Sequence, residues 1–196
     1  MTKGNIIIAA LRLFILRGYK YVSLIDVANE TGLTKGGIYH YFSSKEDLLQ
    51  VASHHLFDLL EEQYHQLSQE AKTLKEFLTT ILVERQVECF IDDTLGIQGD
   101  LRANFARLFL ETIDNFPELQ SRLDRSQVLI RSDIEQRLQM AADSGEIRGD
   151  LDSHAMAALL FSIIQGLRCS VLSFNALALR EQMMDNLWRL VGKNAV

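Results

Sequence analysis

One stretch of this 196-residue chain, Ser23 to Lys45 (SLIDVANETGLTKGGIYHYFSSK), permits few arrangements other than two short helices meeting at a glycine turn. Leu24, Val27 and Ala28 fall at i, i+3 and i+4, so one face of the first helix is apolar while Asp26, Asn29 and Glu30 point away. Ser23 followed three residues later by Asp26 has the form of a capping box with Asp in the acidic position. Gly32 stands where that helix must stop, because glycine enters the left-handed conformation without a side-chain clash. Thr34 then caps a second helix, Lys35 to Phe42, which Ile38 and Phe42 anchor on the first, leaving a polar and aromatic face outward.

Ala28, Gly32 and Ile38 supply a small residue where the helices cross, a turn glycine and an apolar anchor, which is helix-turn-helix spacing. Such a unit lays its second helix in the major groove of DNA, N-terminal end toward the base edges. That end offers Thr34 and Lys35 for hydrogen bonds, Gly36 and Gly37 for close backbone approach, and His40 one turn later. Tyr39, Tyr41 and Lys45 are placed to reach phosphates, contacts that fix position without reading sequence. A small helical hairpin with a glycine turn and no role in DNA binding has the same outline.

The segment LTKGGIYHYFSSKEDLL, preceded by the Ile7, Ala10, Phe14 and Gly18 pattern and by SLIDVANETG, resembles the DNA-binding domain of tetracycline-repressor-like (TetR family) regulators. The resemblance covers roughly residues 1 to 50; the remainder matches only in helical layout and length. It implies a homodimeric transcription factor, usually a repressor, with a C-terminal domain for ligand binding and dimerisation. The family's DNA contacts would fall on Thr34, Lys35, Gly37, Tyr39, His40, Tyr41 and Lys45. Only Met1 to Gly4 precede the first helix, so a long basic arm in the minor groove is not expected.

With 47% hydrophobic residues, one proline (Pro117) and little strand-like alternation, the chain reads as all-α with about nine helices. Residues 1–46 form the helix-turn-helix domain and 47–196 a helical ligand-binding and dimerisation domain. The net charge of −6 excludes whole-surface binding to nucleic acid, but it is uneven: residues 1–50 carry +2 and the rest −8. No signal peptide and no uncharged run long enough to cross a bilayer is present, so the chain is expected in the cytoplasm. Cys89 and Cys169 have no metal-type or C-x-x-C spacing; they read as two buried thiols in a reducing cytosol, with a cysteine-based redox sensor as the alternative. His54 and His55 are adjacent and therefore on different helix faces, so no metal is expected, nor any cofactor. No nucleophile elbow, triad order or phosphate loop marks an enzyme.

In chain order, Asn5 to Arg17 is an amphipathic helix (Ile7, Ala10, Leu11, Phe14) that roofs the hairpin and ends at Gly18. Tyr19 and Val22 pack in the connection that follows. Ser44 with Asp47 forms a second capping box that begins a long helix to Leu67, which at about 1.5 Å per residue spans more than 30 Å and reads as a lever. Thr73 caps a helix to about Phe90, and Ile91 to Gly99 reads as a loop. Asp100 caps a helix ending at Phe116, and Pro117 opens the next, to about Asp143. Asp152 or Ser153 caps an almost wholly apolar helix, His154 to Phe174, and the last runs from Leu177 to Val191.

In that apolar helix Ala158, Ser162, Gly166 and Ser170 recur every four residues, and the last helix presents Met184, Leu187, Trp188 and Val191. A symmetric pair of these helices, packed as a four-helix bundle across a two-fold axis, would bury the surplus apolar surface; the alternative is that they pack on the protein's own core. A small, mostly apolar effector would lie between helices, with Phe57, Tyr64, Phe90, Phe105, Phe109 and Phe161 as lining and Gln86, Thr112 and Gln165 as polar contacts. The partners expected are thus a double-stranded palindromic operator, a second copy of the chain and that effector. The rival reading is a dimeric helical scaffold or adaptor whose hairpin has lost DNA binding.

Overall fold

The computed structural model describes residues 2–98, 102–113, 116–169 and 176–193. Among these residues the chain is all-helical: ten α-helices, one short 3-10 turn, and a single isolated bridge between Ile147 and Gly192. None of the helices is long and apolar enough to cross a membrane. By packing, the chain divides into two compact units, residues 1–60 with 90–125, and residues 61–89 with 126–196.

The first unit is built around α1 (Lys3–Arg17). Its expected stripe, Ile7, Ala10, Leu11 and Phe14, is buried, but so are Ile6, Ala9, Leu13 and Ile15, because α1 packs on both α2 (Leu24–Thr31) and α7 (Arg102–Ile113). Gly18 ends α1 at φ 89°, and the Arg107 guanidinium lies 3.3 Å from where a β-carbon would stand. A side chain there would be strained in backbone and crowded in space. The 3-10 turn Tyr19–Tyr21 follows, with the Tyr19 ring edge-on to Phe14 and Phe116 at 5.4 and 6.0 Å between centroids. α3 (Lys35–Tyr41), the start of α4 (Lys45–Glu70), most of α6 (Gln86–Leu95) and the start of α8 (Pro117–Asp143) complete this unit. Ser44 caps α4 as expected, its Oγ accepting from Asp47 N, but the Asp47 carboxylate reaches back to Ser43 rather than to Ser44.

In the second unit the core gathers Tyr64, Phe77, Leu78, Ile134, Leu138, Ala157, Leu160 and Met184. It holds α5 (Leu74–Leu82), α9 (Ser153–Cys169) and α10 (Leu177–Val191), with the remaining parts of α4 and α8. Both ends of α5 are tied by charged side chains from distant parts of the sequence. At its N-terminus Thr73 accepts from Glu76 N at 3.1 Å, and the Glu146 carboxylate accepts from Leu74 N and Lys75 N, each at 2.9 Å. At its C-terminus the buried Arg180 donates to the Leu82 carbonyl at 2.7 Å. An anion at the amino end and a cation at the carboxyl end both complement the helix dipole and satisfy backbone groups that the helix leaves open. Asp152 rather than Ser153 caps α9, accepting from His154 N and Ala155 N.

Two expectations are corrected. The helix expected from Leu74 to Phe90 is broken: α5 stops at Leu82, the chain turns at Arg85 with φ 59°, and α6 continues to Leu95 through most of the segment read as a loop. Val87, Ile91 and Leu95, spaced by four, are all buried, which is what makes that segment helical; Gly96 ends it at φ 61°. The extra break brings the number of helices among the described residues to ten rather than nine. Asp100 and the stretch beyond Cys169 to Phe174 lie outside the described residues.

Glu146→Ala removes two charge-assisted capping bonds, so it is expected to lower stability by about 1–2 kcal/mol, read as a reduced urea midpoint. Glu146→Gln, which keeps an acceptor but not the charge, should fall between the two.

Candidate nucleic-acid interface

The hairpin α2–α3 is fixed by local bonds before any tertiary contact is counted. Ser23 Oγ accepts from Asp26 N at 3.2 Å, and an Asp26 carboxylate oxygen accepts from Ser23 N at 2.7 Å, closing the capping box. The Ser23 hydroxyl and backbone N–H together hold the Asp26 carboxyl below its ordinary range. The turn is at Gly32, φ 69° and ψ 17°, with Leu33 N bonded to Ala28 O at 2.8 Å. A β-carbon at Gly32 would meet nothing within 4 Å, so the glycine is required by its backbone angles rather than by space. Thr34 Oγ1 then accepts from Gly37 N at 3.1 Å to start α3.

In α3 Ile38 is buried, as is Phe42 just beyond its end. Anchoring those two residues inward turns Lys35, Gly36, Tyr39, His40 and Tyr41 outward, with Tyr39 48% and Tyr41 38% exposed. Thr34 is exposed beside them, and the His40 and Tyr41 rings stand edge to face at 5.4 Å. The two glycines differ. A β-carbon at Gly37 would come 3.3 Å from the Thr34 cap oxygen, whereas at Gly36 it would meet nothing within 4 Å. The fold therefore needs a small residue at Gly37, but nothing within the chain explains glycine at Gly36, where alanine would be the better helix former.

Lys45 is placed differently from the exposed α3 residues. It is partly buried, with its ammonium 4.1 Å from the centre of the Tyr19 ring, and desolvation lowers its pKa. The Tyr19 hydroxyl donates to Glu46 at 3.2 Å, and burial, reinforced by the Glu46 charge, raises its pKa to about 12. Lys45 thus joins the α4 start to the Tyr19 aromatic cluster. Tyr21, in the 3-10 turn, is the most exposed large apolar side chain among the described residues. No periodicity marks a residue in such a turn, so sequence pattern passes over it.

The residues suggested for an effector fall in both units. Phe57, buried, and Phe90 and Phe105, half-buried, belong to the first; Tyr64, buried, with half-buried Phe161 and Gln165 and exposed Gln86, belong to the second. The Gln86 amide is bonded to Glu84 at 2.7 Å. The side chains of Phe109 and Thr112 lie outside the described residues. Sequence pattern missed Glu88 and Arg168, which accompany Tyr64 in the second unit.

Of the residues suggested for dimerisation, Met184 and Val191 are buried in the chain's own second unit, where α10 packs on α5. For these two residues the burial corrects their assignment to the dimer contact and matches the alternative, packing on the chain's own core. Leu187 and Trp188 are half-buried, the Trp188 ring lying beneath the Lys75 ammonium at 5.4 Å. On α9, Ala158 is half-buried while Ser162 and Gly166 are exposed, flanked by Leu159 at 59% and Ile163 at 37% exposure. Ser170 and the Cys169 side chain lie outside the described residues, and Cys89 is exposed, which corrects its reading as a buried thiol: it falls on the outer face of α6, between the buried Val87 and Ile91.

The sequence profile described as bacterial regulatory proteins, tetR family, matches residues 6–52, the segment that contains α1 to α3 and the start of α4. The HTH-type transcriptional regulator TtgR of Pseudomonas putida is 26% identical over 171 residues, 85% of this chain and 78% of that protein. Among solved structures, FadR of Bacillus subtilis in complex with stearoyl-CoA superposes with a TM-score of 0.71 at 22% identity over the whole of both chains. A regulator from Saccharomonospora viridis in complex with choline gives 0.74 at 23% identity over 96% of each.

Gly36→Ala is expected to raise stability by about 0.5–1 kcal/mol and Gly37→Ala to lower it, as measured by chemical denaturation. Because the Asp26 pKa is lowered in the folded state, its contribution is present above the unfolded carboxylate pKa and is lost as pH falls through the folded value. Asp26→Asn should therefore narrow its stability gap to the unaltered chain as acid is added.

Proposed function

Because this chain belongs to the TetR family of transcriptional regulators, we propose that it binds a palindromic DNA operator as a homodimer and represses transcription until a small, mostly apolar effector releases it. The observation that carries this reading is the outward face of α3: Lys35, Tyr39, His40 and Tyr41 around a Gly36 that nothing in the chain approaches. Lys35 and His40 read base edges, Thr34 and Tyr39 hold the backbone, and Gly36 lets the helix approach closely. Tyr41 serves as a further backbone contact, and Lys45 contributes by stiffening the start of α4. Residues 1–46 act as the DNA-binding domain and 47–196 as the sensing and dimerising one.

The exposed α9 residues Leu159, Ser162, Ile163 and Gly166 provide the two-fold contact: small residues let helices approach, and the flanking apolar side chains gain by burial. A dimer presents two copies of α3 to successive major grooves, about one helical turn apart or somewhat more. Structural relatives that hold stearoyl-CoA and choline support an effector-controlled regulator without naming the effector of this chain. An effector that favours the wrongly spaced dimer weakens DNA binding only by its differential affinity, typically 1–3 kcal/mol of coupling. α4, whose residues belong to both units, is the element that transmits it.

DNA fragments selected by the purified protein provide the test. In fluorescence anisotropy, Tyr39→Ala should weaken selected and random duplex alike, while Lys35→Ala should weaken the selected site by about 1–3 kcal/mol and relax preference at one base pair. Equal loss on both duplexes for both variants would contradict the assignment. Ile163→Asp should yield monomers in sedimentation velocity and lose operator binding; a dimer that persists would remove α9 from the interface.

A further inference from the structure

We propose that Tyr64, Glu88 and Arg168 form the polar end of an effector site in the second unit, and that the group they receive is a neutral hydroxyl on an apolar body. This rests on the effector-controlled reading above and narrows it to a chemical class. A carboxylate, a phosphate or a quaternary ammonium would be disfavoured.

Tyr64 is 1% exposed and among the largest fully buried side chains, yet its hydroxyl lacks a hydrogen bond of normal geometry. Two charged side chains stand near it, Arg168 from α9 and Glu88 from the first turn of α6. Burial raises the Tyr64 pKa to about 12; Arg168, as a nearby charge and as a loose hydrogen-bond donor to the Tyr64 oxygen, opposes that rise, and Glu88 adds to it, so it is the proton of the Tyr64 O–H that is left without an acceptor. Glu88 is half-buried, and its Oε2 is shielded from water with no partner. Arg168 donates to Gln165 across 3.4 Å, a long bond. Three residues before Glu88, the Nε of Arg85 is likewise shielded and unpaired, on a backbone held at φ 59°.

Shielded polar atoms without partners are uncommon, because leaving water without gaining a bond is costly. Here a donor and an acceptor, Tyr64 O–H and Glu88 Oε2, are left open within the same unit. A guest hydroxyl satisfies both, donating its proton to Glu88 Oε2 and accepting from the Tyr64 O–H. The open acceptor, Glu88 Oε2, calls for a proton and repels an anion, while Arg168 beside it repels a cation, so a neutral donor suits the pair. A carboxylate would face Glu88, and a quaternary ammonium has no proton to give it and would face Arg168.

Three probes sharing one body test this: 4-butylphenol, 4-butylbenzoate and (4-butylphenyl)trimethylammonium, titrated calorimetrically into the purified full chain. The phenol should bind at least tenfold more tightly than either charged probe. Tyr64→Phe, which keeps the core volume, and Glu88→Gln should each weaken the phenol tenfold or more, with unchanged circular dichroism and melting within a few degrees of the unaltered chain. Glu88→Gln should also strengthen 4-butylbenzoate, because the like charge is gone. Failure of all three probes to bind, preference for a charged probe, or phenol affinity unmoved in both variants would overturn the proposal. If Tyr64→Phe does not fold, the benzoate gain in Glu88→Gln decides alone. DNA binding measured in parallel keeps the two readings apart: phenol binding without DNA binding would sink the regulatory reading and leave the site standing.

Discussion

Ile38 and Phe42 hold the rest of the interface in place. A helix of seven residues has no stability of its own in water, since nucleation consumes nearly all the bonds it can form. α3 exists because those two side chains are buried beneath it and because Thr34 and Gly32 fix where it begins and how the chain arrives there. The same anchoring decides which side chains face water. A shift of one position along α3 would carry Lys35 and Tyr39 inward and leave Ile38 exposed, so the composition of the outer face is a direct result of packing underneath.

Both units solve a common problem, that of holding short helices whose ends are unsatisfied, with side chains from far along the sequence. In the first unit Tyr19 sits among Phe14, Phe116 and the Lys45 ammonium, so the connection after α1 and the beginning of α4 share one aromatic centre. Arg12 pairs with Glu30 across α1 and α2. In the second unit Glu146 and Arg180 bracket α5 from residues more than 70 positions away. These ties are electrostatic and directional, and they orient elements whose apolar faces alone would tolerate some sliding.

What could be read in advance follows from the range of the interaction. The capping box at Ser23, the turn at Gly32, the cap at Thr34 and the buried pair Ile38 and Phe42 are local, and every partner lies within a few residues. The break at Arg85 was not legible, because it depends on Arg180 taking the Leu82 carbonyl and on a positive φ that arginine does not advertise. Helix α6 did carry a signal, Val87, Ile91 and Leu95, which two nearby glycines and a pair of aspartates obscured. In α10 pattern revealed that Met184 and Val191 are apolar, but could not choose between a second copy and the chain's own second unit, within which they are buried. Lys45 likewise read as a surface cation until the ring beneath it was known.

The burial of α1 on two sides bears on how far this molecule is modular. α2 covers one flank and α7, more than 80 residues downstream, covers another, with Arg107 seated against Gly18. A hybrid regulator made by joining the first fifty or so residues to a foreign sensor would expose apolar side chains of α1 and invite aggregation. Any transplant of the recognition hairpin has to bring a substitute for α7, chosen to fit the Gly18 notch as well as the α1 flank.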